Sequence, residues 1–116
     1  MNARLASSVL VGGLLRKAEA QGGFATVLAK GDPTAGSIVV VLIERGAGQL
    51  ILERILQPGG DYKWQDTGHQ ITDNIDKTQD VPAFVARRRR FDPDLWVLEL
   101  DIPSAERFAA EMNGGD

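Results

Sequence analysis

The apolar run Ile38–Ile43 most constrains what this chain can fold into. Six apolar residues in succession, most of them β-branched, are typical of a strand covered on both faces, because a strand with one wet face alternates apolar and polar residues. We therefore predict a central strand with helices over one face. A second layer or a partner subunit would cover the other face, and the latter predicts a homodimer.

Alternation of residue types and well-placed turns predict further strands on both sides of this run. The segments Gly31–Gly36, Arg45–Gln49 and Pro58–Asp61 contain the glycine, proline and aspartate that turns favour. We interpret Arg45–Gln49 as a hairpin loop. The predicted strands are Phe24–Lys30, Ile38–Ile43, Leu50–Leu56, a short edge strand at Tyr62–Trp64, and Asp94–Ile102.

The last of these, Asp94–Ile102, is the clearest strand in the sequence. Its side chains separate into two sets by strict alternation. One face is fully apolar, and the other passes from apolar to acidic along the strand. The apolar face holds Trp96, Leu98, Leu100 and Ile102, and the other holds Leu95, Val97, Glu99 and Asp101.

A helix is predicted near the amino terminus, with Asn2 as its N-cap and Gly22-Gly23 as its end. Its first half resembles a secretion signal, but Arg16 and Lys17 lie where signal peptides are normally uncharged. We therefore expect a cytoplasmic protein with no membrane span, since the apolar stretch is too short to cross a bilayer. Its predicted buried face is Ser7, Leu10, Val11, Leu14, Leu15 and Ala18.

Two more helices are predicted in the second half of the chain. The first opens at Asp80, with Pro82 near its first position, and runs to about Arg90. The second is capped by Ser104 and buries one face, and residues 113–116 are expected to fray. Residues 65–80 are predicted to be mostly loop, with a helical turn near residues 72–77. The buried face of the last helix is Ala105, Phe108, Ala109 and Met112.

Together these elements predict one α+β domain over residues 1–116. An antiparallel-rich sheet of four to five strands carries its helices on one face: an N-terminal helix, a helix before the last main strand, and a C-terminal helix. The absence of cysteine excludes disulfides, iron–sulfur clusters and thiolate zinc sites. No cofactor is expected.

The four consecutive arginines Arg87, Arg88, Arg89 and Arg90 are the first candidate site. They could contact the phosphates of nucleic acid, a nucleotide or an acidic lipid. However, residues 61–86 and 91–116 surround them with acidic charge, and four consecutive helical side chains point in four directions. We favour a solvated, partly ion-paired helix end. The net charge of −3 also argues against general nucleic-acid binding.

The turn Gly31–Gly36 is a second candidate site. Consecutive N–H groups from Thr34 onward could form an anion-binding concavity, with Lys30 beside it. No Walker sequence follows, and Asp32 would repel an anion. We favour a structural turn in which Asp32 accepts hydrogen bonds from nearby N–H groups.

The single histidine, His69, lies near Asp61 and Asp66 in sequence, which raises the hypothesis of a metal site or a general base. One histidine without fixed spacing to its carboxylates more often marks an exposed loop. Tyr62 and Trp64 share a strand face and could form the floor of a ligand pocket. We favour a satellite of the core for this pair.

Two long segments carry a resemblance to a known family. LLRKAEAQGGFATVLAKGDPTAGSIVV and RRRRFDPDLWVLELD together resemble the small bacterial proteins of domain-of-unknown-function family 1491. The most specific parts are Gly31-Asp32-Pro33 with Ala35-Gly36, and Phe91–Trp96. The resemblance implies a compact protein with no established activity, cofactor or catalytic residue, so no functional residue is carried over.

The sequence favours a non-enzymatic interaction or accessory module that associates with itself or with an unidentified protein partner. Two alternatives remain open. One is a nucleic-acid or nucleotide binder that uses Arg87–Arg90. The other is a small metal-dependent enzyme around His69.

Overall fold

A computed structural model describes residues 5–66 and 77–114 of the chain. It contains three helices and five strands in the predicted order, which confirms the α+β fold class. The helices are Ser7–Ala20 (α1), Lys77–Phe91 (α2) and Ala105–Met112 (α3), and the strands are Phe24–Ala29 (β1), Ile38–Glu44 (β2), Ala47–Leu56 (β3), Tyr62–Asp66 (β4) and Trp96–Ile102 (β5).

The five strands form one mixed sheet in the order β1-β5-β2-β3-β4. Three of its four strand pairs are antiparallel, and the β2–β5 pair is parallel. The chain leaves the far edge after β4, passes through α2 and inserts β5 between β1 and β2. Therefore β1 and β4 are the two edges of the sheet.

The apolar run forms the central strand, as predicted. Side chains from Ile38 to Leu42 are all buried in β2, with alternate residues belonging to two separate cores. The first core lies under α1 and α3, which contribute Val11 and Phe108 among others. The second lies under α2, which contributes Phe84.

The prediction that all helices lie on one face is therefore wrong. Helix α2 covers the face opposite α1 and α3, because its apolar residues Val81 and Phe84 pack on Val39 and Val97. The second face of β2, which was expected to need a second layer or a partner subunit, is thus covered by α2 of the same chain. Cover for β2 no longer argues for a homodimer, and self-association needs a separate basis.

The alternation predicted for β5 is confirmed on both faces. Trp96, Leu98 and the residues that alternate with them enter the core under α1 and α3, and Leu95 and Val97 enter the core under α2. Glu99 is only partly buried. The α2 face thus changes from a covered apolar half to an acidic half along one strand.

Helix α1 begins later than expected. Its N-cap is Ala6, which provides no side-chain cap, whereas the predicted cap Asn2 lies outside the described residues. The N–H groups of Ser7 and Ser8 instead donate to the carbonyls of Thr34 and Pro33, at 3.1 and 2.9 Å. The predicted buried face is confirmed, and the helix ends before Gly22, whose φ of 82° favours glycine.

The β2–β3 hairpin is tighter than predicted. In place of a loop over Arg45–Gln49, only Arg45 and Gly46 form the turn, and β3 already begins at Ala47. Both turn residues have positive φ, 51° and 80°, which is typical of the two-residue turns that match strand twist. The prediction placed the turn in the correct segment but made it too long, because arginine rarely adopts a positive φ.

Helix α2 also differs from its prediction at the start. It begins at Lys77, so Pro82 lies inside the helix rather than near its first position. Strand β4 continues to Asp66, and most of the helical turn predicted for residues 72–77 lies outside the described residues. Within the described ranges, no helix is long and apolar enough to span a membrane.

Helix α3 confirms its predicted cap and face. The Ser104 hydroxyl accepts the N–H of Arg107 at 3.3 Å, and Phe108 is fully buried. The expected fraying is wrong for Asn113, because its side chain makes two hydrogen bonds to the backbone of Trp64 in β4. Residues 115 and 116 lie outside the described part of the chain.

Candidate functional site

The arginine run does not form one cationic surface. Arg88 points into the protein, where its two terminal nitrogens bind the two carboxylate oxygens of Glu53 at 2.7 and 2.8 Å. Its guanidinium also lies 5.5 Å from the centre of the Phe84 ring. The hydrogen bond to Glu53 raises the pKa of Arg88, and burial opposes that shift. This pair ties α2 to β3.

Arg89 is a second internal tie. Its Nη1 donates to the carbonyls of Lys30 and Leu95, at 3.0 and 3.2 Å, so it joins the end of α2 to the residue after β1 and the residue before β5. Within the run, Arg87 and Arg90 are the exposed residues, and Arg88 and Arg89 are partly buried. The helix end is thus partly ion-paired, and the acidic partner of Arg88 is Glu53 in β3 rather than a residue of the acidic stretches that flank the run.

The Gly31–Gly36 turn uses its donors internally. One carboxylate oxygen of Asp32 accepts the N–H groups of Thr34 and Ala35, at 3.1 and 2.7 Å, and the Gly36 N–H donates to the Asp32 carbonyl. An external anion at these N–H groups would have to displace that carboxylate. The geometry is that of the structural turn favoured by the sequence, and the backbone carbonyl of Lys30 accepts a hydrogen bond from Arg89.

The same turn is docked closely against the start of β5. The indole nitrogen of Trp96 donates to the Asp32 carbonyl at 2.7 Å, and Asp32 N–H donates to the Asp94 carbonyl at 3.0 Å. Gly31 and Gly36 do not have positive φ. They are glycines because a Cβ at either position would collide with the Asp94 carbonyl oxygen.

A groove of about 290 Å³ lies where α1 begins beside the β3–β4 hairpin. Tyr62 lines it, as does Arg54, whose guanidinium stacks 3.9 Å from the centre of the Tyr62 ring. The sequence favoured a satellite of the core for Tyr62 and Trp64, with a pocket floor as the alternative. Trp64 packs against the core under α1 and α3, whereas Tyr62 lies at the groove.

The metal hypothesis receives no support from the described part of the chain. His69 lies outside it, and no group of three or more potential metal ligands occurs among residues 5–66 and 77–114. Asp61 is exposed in a turn, where its carbonyl accepts the N–H of Gln57. Asp66 ends β4 and is also exposed.

The edge of β1 forms a surface that the sequence patterns did not reveal. Among residues 5–66 and 77–114, this strand pairs with β5 on one side only, and its sequence FATVLA has neither charge nor proline. Phe24 is 76% exposed, and Val27 and Leu28 are each 40% exposed. A bulge at Leu28 ends the regular register. The signal that could have revealed this surface is an uncharged strand without a predicted neighbour on one side.

The other edge, β4, is protected. Asn113 donates from its side-chain nitrogen to the Trp64 carbonyl at 3.0 Å and accepts the Trp64 N–H at 2.8 Å. Its amide therefore takes the place that a neighbouring strand would occupy. Lys63 and Asp66 add exposed charges, which disfavour pairing with another chain.

Three solved structures share this fold over almost their whole length. A crystal structure of a DUF1491 family protein from Caulobacter crescentus CB15 has 30% identity and a TM-score of 0.77, covering 90% of this chain and 94% of that one. An NMR structure of a DUF1491 family protein from the same organism has 28% identity and a TM-score of 0.76, with coverages of 93% and 94%. The solution structure of protein Atu0922 from A. tumefaciens has 27% identity and a TM-score of 0.72, with coverages of 92% and 93%.

The family comparison agrees with the resemblance carried by the two long segments. No curated protein matches the chain. The model described as "Protein of unknown function (DUF1491)" matches residues 5–110, which include every helix and strand up to most of α3. The chain therefore belongs to the DUF1491 family.

Proposed function

We propose that this protein is an interaction module that pairs with a second copy of itself through the free edge of β1. The observation that carries the proposal is the exposed, uncharged backbone edge of that strand. An unpaired strand edge offers N–H and carbonyl groups to another strand, and apolar side chains on it add burial.

A second copy is the occupant that fits this edge. Two β1 strands related by a two-fold axis run antiparallel, so that each neutral strand meets an identical neutral strand without like-charge repulsion. The exposed side chains of Phe24 and Val27 would lose water on both sides of the axis. The two five-stranded sheets would become one continuous sheet of ten strands.

The same geometry sets the strength of the interaction. The bulge at Leu28 restricts regular pairing to Phe24–Val27, a stretch of four residues. One short strand pair buries less surface than a standard stable interface, so the association belongs to the weak and reversible class. Regulated or concentration-dependent assembly is the kind of role that such an interface supports.

The partner class and the cellular location form part of the same proposal. The partner is a protein rather than nucleic acid, since two of the four arginines are committed to internal contacts. The location is the cytoplasm of a bacterium, in keeping with the organisms of the similar structures. Cell fractionation tests the location directly.

The decisive experiment compares two phenylalanines that are equally accessible. Phe24 lies on the β1 edge, and Phe91, 81% exposed, lies at the end of α2. Sedimentation equilibrium of the wild type, F24K and F91K from about 10 µM to about 1 mM spans the range of weak association. We expect the wild type and F91K to dimerise and F24K to remain monomeric.

A wild type that stays monomeric over this range overturns self-pairing, as does an F24K variant that dimerises like the wild type. The thermal unfolding midpoint of F24K provides the control for folding. Because Phe24 is mostly exposed, we expect that midpoint to lie within a few degrees of the wild-type value.

A further inference from the structure

We propose that a pocket beside the β2–β3 turn binds a small zwitterion, a molecule whose ammonium and carboxylate groups lie close together beside an apolar body, as in an α-amino acid. This turn pocket has a volume of about 400 Å³, within the range for small-molecule sites. Its lining comes from the start of β1, the end of β5 and the turn itself. It shares only Phe24 with the edge proposed for self-pairing, so the two sites can be tested separately.

One residue of each charge lines the turn pocket. Arg45 belongs to the turn, and Asp101 lies near the end of β5. Among the residues that the structure describes, neither of the two forms an ion pair. A simple anion would lie near the carboxylate, and a simple cation would lie near the guanidinium. A ligand that carries both charges can satisfy both groups, which is why the pocket favours a zwitterion.

The two charged residues are held in place without a ligand. The Arg45 N–H donates to the Ile102 carbonyl at 3.3 Å, and the Gly46 N–H donates to Oδ1 of Asp101 at 3.2 Å. These bonds tie the turn to the end of β5, and they leave Oδ2 of Asp101 to accept an N–H from the ligand. A site that is ordered beforehand lowers the entropic cost of binding.

The backbone of Arg45 is the observation that separates a ligand contact from a structural role. Its φ of 51° lies in the left-handed region, which glycine and asparagine adopt more readily than arginine. The turn therefore gains nothing from an arginine at this position. Its guanidinium, on an exposed side chain at the pocket, can bind a carboxylate through two parallel hydrogen bonds.

The rest of the lining suits the apolar body of such a ligand. Phe24 is 76% exposed, and Pro103 is also exposed, so both rings offer apolar surface. Gly22 and Gly23 carry no side chain and leave the pocket open between these rings and the turn. Burial of a hydrocarbon side chain there would add to the two charged contacts.

NMR titration of the ¹⁵N-labelled protein tests the proposal with three compounds of similar size. L-Phenylalanine carries both charges, 3-phenylpropionate lacks the ammonium group, and phenethylamine lacks the carboxylate. With protein fixed at about 50 µM and ligands up to about 20 mM, we expect saturable shifts of the Gly22–Phe24, Arg45 and Asp101 amides with L-phenylalanine. Each analogue with one charge should bind at least about tenfold more weakly.

Matched variants separate the pocket from general electrostatics. Arg45→Gln and Arg87→Gln remove the same positive charge, but Arg87 lies on α2. Asp101→Asn and Glu99→Gln remove one negative charge each from β5, but Glu99 is outside the pocket lining. We expect binding of L-phenylalanine to weaken at least about tenfold in R45Q and D101N and to change less than about twofold in R87Q and E99Q.

Arg45→Asn distinguishes a ligand contact from support of the turn. Because asparagine tolerates positive φ, we expect the thermal midpoint of this variant to equal or exceed that of the wild type while binding of L-phenylalanine is lost. A lower midpoint would contradict the structural part of the argument.

Three results would overturn the site. They are the absence of saturable shifts with L-phenylalanine, an analogue with one charge that binds as tightly as the zwitterion, and a folded R45N that binds like the wild type. If D101N does not fold, the comparison of R45N with R87Q alone decides the outcome. Self-pairing through β1 has no part in these measurements, so failure of either proposal leaves the other standing.

Discussion

The two edge strands of the sheet differ in how well their backbone is protected from pairing with another chain. At β4, the side chain of Asn113 binds the outward N–H and carbonyl of Trp64, and Lys63 adds a charge. At β1, the strand has no charge, and Phe24 is largely exposed. Strand edges pair readily with other chains. The difference shows that protection against such pairing is local, because β4 has it and β1 does not.

The protection of β4 depends on a residue that lies 49 positions away in the sequence. Asn113 follows α3, and α3 is held against α1 by Glu111, which binds Lys17 and Gln21. The β1 edge has no such cover among the described residues. Substitutions at Gly23, Asn113 and Glu111 test how each edge is supported.

The largest expected effect comes from breaking the support of β1. Gly23 precedes this strand, and a Cβ there would collide with the Asp101 carbonyl oxygen of β5. We expect Gly23→Ala to lower the free energy of unfolding by about 3 kcal/mol, because one strand must move away from the other. Urea denaturation measures the loss.

Gly13→Ala is the matched control for that substitution. Gly13 lies within α1, and a Cβ there would meet no atom within 4 Å. We expect this variant to gain up to about 1 kcal/mol, the difference in helix propensity. Equal stability of the two variants would contradict the close approach of β1 and β5 at Gly23.

A smaller effect is expected from opening the protected edge. Asn113→Ala removes both hydrogen bonds to Trp64, which should cost about 1 kcal/mol at this exposed position. Asn113→Asp should lose only the donor. Hydrogen exchange of the Trp64 amide should accelerate in the alanine variant and much less in the aspartate variant, and an unchanged rate in both would show that Asn113 does not protect β4.

The smallest effect concerns the tie that holds α3 in place. Hydrogen bonds from Lys17 and then Gln21 lower the pKa of Glu111 in the folded state. A lowered carboxyl pKa gives stability that is complete above the unfolded value, about 4.3, and is lost as the pH falls through the folded value. The stability advantage of the wild type over Glu111→Gln should therefore shrink on acidification in that range, and an advantage that is constant with pH would argue against the ion pair.

Local pattern was sufficient for most of the elements. The unbroken apolar run at Ile38–Ile43 and the alternation from Trp96 to Ile102 both predicted burial correctly, because side-chain direction in a strand depends only on position. The Ser104 cap was equally local. The tight turn at Arg45 was not, since arginine rarely adopts a positive φ.

Strand order and contacts between distant residues could not be predicted from local sequence patterns. Nothing near β5 indicates that it lies parallel to β2 or that it separates β1 from β2. The partner of Arg88 is Glu53, 35 residues away, and the partner of Trp64 is Asn113, 49 residues away. Such pairs follow from the topology of the sheet. For the same reason, the sequence could not predict that helices cover both faces or that Asn113 protects β4.

The candidate sites show the same limit. The pattern of Tyr62 and Trp64 favoured a satellite of the core, with a pocket floor as the alternative, but the stacking of Arg54 on Tyr62 depends on the pairing of β3 with β4. The arginine run was correctly expected to diverge, since helical rotation alone dictates it. Which two arginines face inward depends on where α2 lies on the sheet.

The position of β5 has a consequence for synthesis on the ribosome. Val97, which pairs with Ala29 of β1, is added about 70 residues after that strand has been made. At about 5–20 residues per second, β1 emerges roughly 4–14 s before the strand that will hold it. Throughout that interval the nascent chain carries this uncharged strand without its native partner β5, so that both of its edges are open to pairing with other chains.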